Sequence, residues 1–145
     1  MTPACVLDAS VVVKWWFSED DVALADAALT FLKAYHAGDL DIHAPDLLYA
    51  EVGNVLWKAT RLRNWPPLAA RQAVKDLIGL ELSAHPMYGL LPGALDLAAA
   101  HGITVYDASY IALARRLGVP CYTADRRLIR AVGDSIPEVQ ELVRV

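Results

Sequence analysis

The segment Ala4-Cys5-Val6-Leu7-Asp8-Ala9-Ser10-Val11-Val12 carries the clearest topological signal in this chain. A short apolar run stops at an acid, and a stretch of helical composition follows at once. It reads as a strand over Ala4 to Leu7, ended by Asp8, then a short helix from Ser10 to about Trp16. The same order recurs near the other end, where Pro120 to Thr123 reads as a strand and Asp125 opens a helix to about Val132. A third instance lies between them. The apolar run Ile103 to Tyr106 leads into Asp107, which opens a helix to about Leu117, closed by Gly118.

The intervening sequence fits the same alternation. Asp20 to about Ala37 reads as an amphipathic helix, with Val22, Ala25, Leu29 and Leu32 at helical spacing and Gly38 as its stop. Ile42 to Ala44 is a weak strand. Asp46 caps a helix reaching about Arg63, and Pro67 starts another that runs to about Leu82. His85 to Tyr88 reads as a strand, Pro92 to His101 as a helix, and Val139 to Val145 as an edge strand. Strands alternating with helices indicate an α/β fold whose parallel sheet is covered on both faces. With no repeat, low-complexity tract or long linker, residues 1–145 read as a single domain.

Composition narrows the function classes. Hydrophobic residues make up 56% of the chain, which suits a packed α/β core or an apolar surface covered by a partner. No run approaches the roughly 18 apolar residues of a membrane span. Asp8 interrupts the first apolar segment with no basic residue before it, so the N-terminus does not read as a signal peptide and a cytosolic protein is expected. Cys5 and Cys121 lack disulfide or zinc spacing and read as buried free thiols. A formal charge of −4 gives no bulk attraction to nucleic acid, so RNA binding would rest on local basic residues and metal ions.

In open α/β sheets, ligands bind beyond the carboxyl ends of the strands. Asp8, Asp107 and Asp125 fall there by this reading. Glu51 is different. On its helix the residues three and four positions away are Leu47, Leu48, Asn54 and Val55, which points its carboxylate along a core-facing stripe. A buried carboxylate must be neutralised, paired or bound to a metal. No lysine or arginine lies one turn before Glu51, and a cation shared with the other acids would resolve the conflict. Oxygen-only ligands suit Mg²⁺ or Mn²⁺. His36, His43, His85 and His101 have no metal-ligand spacing to one another and read as structural or surface residues.

The segments Asp8-Ala9-Ser10-Val11-Val12, Glu51-Val52-Gly53-Asn54-Val55-Leu56, Tyr106-Asp107-Ala108-Ser109-Tyr110 and Thr123-Ala124-Asp125-Arg126-Arg127-Leu128 resemble the successive motifs of PIN-domain nucleases. The resemblance is strongest to the VapC toxins of toxin–antitoxin pairs and spans residue 4 to about 143. It implies a three-layer α/β/α sandwich, Mg²⁺- or Mn²⁺-dependent cleavage of RNA, inhibition by a cognate antitoxin, and a homodimer. By position, the family's acidic quartet falls on Asp8, Glu51, Asp107 and Asp125, and its supporting hydroxyls on Ser10 and Thr123. Asp8 and Asp107 are then expected as direct metal ligands. Asp125 and Glu51 would complete the site directly or through water, and one of them would help orient the attacking water.

Arg126 and Arg127, with Arg115, Arg116 and Arg130, follow the last two acids and are candidates to steer an RNA backbone; the last three also suit the C-terminal ends of helices. The aromatic run Trp15-Trp16-Phe17 is expected to place a ring at a protein interface or, alternatively, to stack bases. Trp57 and Trp65 read as packing residues. Other readings are weaker. A phosphoacceptor receiver domain would want paired acids after the first strand and a late lysine, but Asp8 stands alone and no lysine follows Lys75. An aspartate-nucleophile phosphatase would want a second aspartate where Ser10 stands. A PIN-like module that binds RNA or a partner without cleaving is the remaining alternative.

Overall fold

The computed structural model describes residues 1–18 and 20–143. Its strands are β1 (Ala4–Leu7), β2 (Asp41–Pro45), β3 (Ser83–His85), β4 (Cys121–Thr123) and β5 (Val139–Glu141). Its helices are α1 (Ala9–Val12), α2 (Val22–His36), α3 (Leu47–Leu62), α4 (Pro67–Gly79), α5 (Met87–His101), α6 (Val105–Leu117) and α7 (Arg126–Val132). A 3-10 turn continues α1 to Trp15. Of the expected edge strand, residues 139–141 form β5, and residues 144–145 lie outside the described residues.

The strands form one parallel sheet in the order β3-β2-β1-β4-β5. Helices flank it to give the α/β/α sandwich. Cys5, Val6 and Leu7 of the central strand are each no more than 1% exposed, as burial on both faces requires. Val6 pairs with His43 on one side and Cys121 on the other. The chain steps outward from β1 to β2 to β3, then returns through α5 and α6 to lay β4 on the opposite side of β1. The order reverses between β1 and β4, which makes their carboxyl ends the topological switch point.

Helix α6 is the pivot of the packing. Tyr110, Leu113 and Ala114 join the main core, with the sheet, α2, α3 and α4. Ala108 and Ile111 join a second cluster with Ala94 and Leu97 of α5 and Leu128 and Val132 of α7. Both cysteines are buried free thiols; burial pushes Cys5 up to about 12 and raises Cys121 as well. Among the described residues, no helix is long and apolar enough to cross a membrane.

Several local expectations change. Met87 and Tyr88 begin α5 instead of extending a strand, because Pro86 sits in the extended conformation and Asp46 Oδ1 accepts from the Met87 amide at 3.1 Å. Asp46 therefore gives its carboxylate to a neighbouring helix and makes no side-chain cap on α3. Ile103 to Tyr106 is not a strand: Thr104 caps α6 by accepting from the Asp107 amide, which puts Asp107 at the third helical position. The expected stripe on α2 is also displaced, with Ala25, Ala27 and Ala28 buried and Val22 exposed.

The aromatic residues divide differently from expectation. Phe17 is buried against Trp65, ring centroids 4.7 Å apart, and Trp15 donates to the Ala28 carbonyl at 3.0 Å. The run is thus largely committed to packing. Trp57, expected to pack, is 52% exposed with Arg61 over its ring.

Candidate active site

Asp8 stands between β1 and α1 and is 5% exposed. Although it occupies the capping position of α1, its side chain does not cap that helix. Its Oδ2 instead accepts from Ser10 Oγ at 2.6 Å and Thr123 Oγ1 at 2.9 Å. Each hydroxyl has one proton, so both protons are committed to that oxygen. The lone pairs are used too: Ser10 Oγ accepts from the Ala124 amide and Thr123 Oγ1 from the Asp125 amide. The Ser10 backbone N–H is a further donor to this carboxylate. Burial raises the Asp8 carboxyl above its ordinary value; the two hydroxyls oppose this and Asp125 adds to it.

Asp125 caps α7, with Oδ1 accepting from the Arg127 amide at 2.9 Å and, at longer range, from that of Leu128. Capping and cavity-lining are compatible here because the bonds fall on one oxygen. Asp107, half-buried in the first turn of α6, is raised by burial and then by Asp8 and Asp125, with Thr104 and Arg127 opposing.

Glu51 lies on α3, but not on its core stripe. Leu48, Val52, Leu56 and Ala59 form that stripe, whereas Leu47, Glu51, Asn54 and Val55 face a cavity. The expectation of a core-facing carboxylate is corrected: the apolar neighbours Leu47 and Val55 line the cavity wall. Glu51 also has a partner. Tyr110, 1% exposed on α6, donates its hydroxyl to Oε1 at 2.5 Å. Burial raises the Glu51 carboxyl, Tyr110 opposes, and Asp8 and Asp107 reinforce it. Burial and Glu51 push the Tyr110 phenol well above its ordinary value, which keeps it a donor.

All four acids, with Ser10, line one cavity of about 520 Å³ at the switch point, and Thr123 is buried behind Asp8. The carboxyls of Asp8, Glu51 and Asp107, raised by burial and by neighbouring acids, favour protonation or a cation. The donor set is oxygen-only, which fits a hard divalent ion. No group of three His, Cys, Asp or Glu side chains that could hold a metal ion occurs among the described residues. The fit is therefore to an ion that keeps several waters and takes one or two carboxylates directly, as Mg²⁺ does.

The arginines separate. Arg127 shares a hollow with Asp107 and Asp125 at the edge of the cavity. Arg126 faces away, beside Leu24 and Glu141, so the structure does not bring it to the acids. Arg115 is paired with Glu138 at 3.0 Å and Arg116 donates to the Gly89 carbonyl, so both serve packing near the end of α6. Arg130 sits in the last turn of α7. Tyr110 and Thr104 are functional neighbours that the sequence reading misses. Thr104 is legible from its spacing three residues before Asp107; nothing local marks Tyr110 as the partner of a glutamate 59 positions away.

Residues 5–134 match the family model described as the PIN domain. The chain belongs to the PIN-domain family. It is 34% identical over 142 residues to Ribonuclease VapC1 of Mycobacterium tuberculosis, covering 97% of this chain and 98% of that protein. It is 33% identical over 125 residues to Ribonuclease VapC3 of Pyrobaculum aerophilum, covering 85% and 90%. The fold is also that of a toxin–antitoxin complex from Klebsiella pneumoniae, at a TM-score of 0.65 and 12% identity, covering 97% of this chain and 99% of that one. In this PIN domain the switch point between β1 and β4 and the facing sides of α3 and α6 thus form the candidate active site, and the receiver and phosphatase readings are set aside.

Proposed function

We propose that this PIN domain, one unit over residues 1–145, is a Mg²⁺- or Mn²⁺-dependent endoribonuclease and the cytoplasmic toxin of a toxin–antitoxin pair. The observation that carries this reading is the convergence of Asp8, Glu51, Asp107 and Asp125, from separate segments, on one cavity. Kinship to VapC ribonucleases supports RNA as the substrate. Asp8 and Asp107 would hold the cation directly, and Asp125 and Glu51 would complete the site directly or through water. When bound, the cation supplies charge neutralisation for the phosphodiester and an activated water.

The chain's own groups do the positioning. Ser10 and Thr123 hold Asp8 through Oδ2, and Tyr110 holds Glu51 through Oε1. These are the partners that orient ligating carboxylates. Arg127, beside Asp107 and Asp125, supplies positive charge where a phosphate would approach. A cognate antitoxin is the proposed partner, as in the complex that shares the fold. The exposed residues Tyr88, Leu91 and Leu95 on one side of α5 support a homodimer, which molar mass in solution tests.

The test is cleavage of a mixed pool of structured RNAs by wild type and Asp107→Asn with Mg²⁺, Mn²⁺ or EDTA. Cleavage by wild type alone, and only with metal, is expected. Equal cleavage by both proteins, or cleavage in EDTA, overturns the reading. Metal binding followed by calorimetry, weakened in Asp107→Asn, provides a readout independent of activity.

A further inference from the structure

The cavity is less polar than a cation and a phosphate require. Its lining extends past the four acids along α1, α3 and the start of α6. Beyond the acids and Ser10, its wall is built from the apolar Ala9, Val13, Leu47, Ala50 and Val55, with two exceptions: Asn54 and Tyr106. Apolar side chains offer nothing to a phosphate or a ribose hydroxyl. They suit a flat, weakly hydrated ring.

Tyr106 is 59% exposed, although the next residue, Asp107, is half-buried among the acids. It is the second residue of α6, and it both lines the cavity and reaches solvent. Asn54 is exposed one turn along α3 from Glu51, facing the same space. Its amide offers a donor and an acceptor together, the combination that reads a base edge. Neither side chain has a hydrogen-bond partner among the described residues, so both are available to a ligand.

On the ribonuclease reading above, we infer that Tyr106, Asn54 and the Leu47–Val55 wall form a subsite for one unstacked nucleobase of single-stranded RNA, next to the phosphate that is cut. The base stacks on Tyr106 and its edge meets the Asn54 amide, so the RNA is positioned by a ring and selected by an edge. A duplex hides both features and is excluded. Asn54 and Tyr106 are positioning and specificity residues; the acids remain the reacting site.

The test uses the full chain and a random-sequence single-stranded RNA, with its duplex as comparison. Steady-state kinetics and sequencing of the cut ends are measured for wild type, Tyr106→Ala, Tyr106→Phe and Asn54→Ala. Tyr106→Ala is expected to raise KM on the order of 5- to 100-fold with a smaller change in kcat, from the loss of one stacked base. Tyr106→Phe restores most of the affinity. Asn54→Ala flattens the base preference at one position flanking the cut. Both positions are exposed, so melting temperatures stay near wild type. Wild-type cleavage with unchanged KM in Tyr106→Ala and unchanged cut-site preference in Asn54→Ala overturns the subsite alone. Absence of cleavage by wild type removes the ribonuclease reading, and the subsite with it.

Discussion

Two polar clusters sit in this sheet, and they are built to opposite ends. At the switch point, Asp8, Ser10 and Thr123 bond one another and nearby amides, and the Asp8 carboxylate lines a cavity shared with three other acids. Toward the β3 edge, His43 Nδ1 and His85 Nε2 meet at 2.9 Å, and the remaining neighbour with an electrostatic effect on His85 is Arg116. The first cluster holds a carboxylate in place on a cavity that a ligand can enter. The second is a single bond that ties two strands together. A polar cluster alone does not mark a site; what matters is whether it opens on a cavity that other acids share.

The largest expected effect comes from the open cluster. Asp8→Asn should lower RNA cleavage by more than ~100-fold, above the 10–100-fold typical of outer-shell partners. An assay that finds full cleavage would erase the distinction between the clusters. Thr123→Val is next. It removes a donor to Asp8 and the acceptor for the Asp125 amide in a fully buried place, so a loss of about 1–3 kcal/mol is expected in chemical denaturation, along with weaker cleavage. Tyr110→Phe should cost less in stability, about 1 kcal/mol, because Glu51 is half-buried and water can replace the hydroxyl. Its cleavage should still fall roughly 10-fold or more, since Glu51 loses its orientation.

The smallest effect belongs to the histidine pair. Burial, His43 and Arg116 hold His85 below the ordinary histidine value. The unfolded chain therefore binds more protons there, and stability is complete above about pH 6.5 and lost as pH falls through the depressed value. Thermal melts from pH 8 to 5 should show this loss in wild type and a shallower one in His85→Phe. Identical slopes would mean that His85 is not held below its ordinary value in the folded chain.

Much of this arrangement is legible in the amino-acid sequence. Strands ending in Asp8 and just before Asp125 follow from short apolar runs bounded by acids, because both patterns are local. Asp107 stands out for a partly wrong reason: the run before it is a capped helix start, and apolar composition over four residues does not separate strand from helix. Glu51 stands out for a real conflict, but its resolution involves Tyr110, which no local pattern connects to it. The pairing of His43 with His85 is invisible in the sequence for the same cause: parallel register joins residues 40 apart, and His43 bonds the residue two beyond its own register partner. Arg126 and Arg127 are adjacent in sequence and diverge in space because successive helical residues point about 100° apart.

The Asp46 carboxylate has a topological consequence as well as a chemical one. With Met87 N–H on its Oδ1 and its own amide on the His85 carbonyl, it draws tight the neck of a loop spanning 41 positions. Closing a free loop of that length costs about 3 kcal/mol beyond a constant. The helix bearing Glu51 lies inside that noose, whereas Asp8, Asp107 and Asp125 lie outside it. One wall of the cavity is therefore carried on a segment cinched at its base, so a single aspartate outside the quartet shortens the path by which Glu51 is brought to the other three.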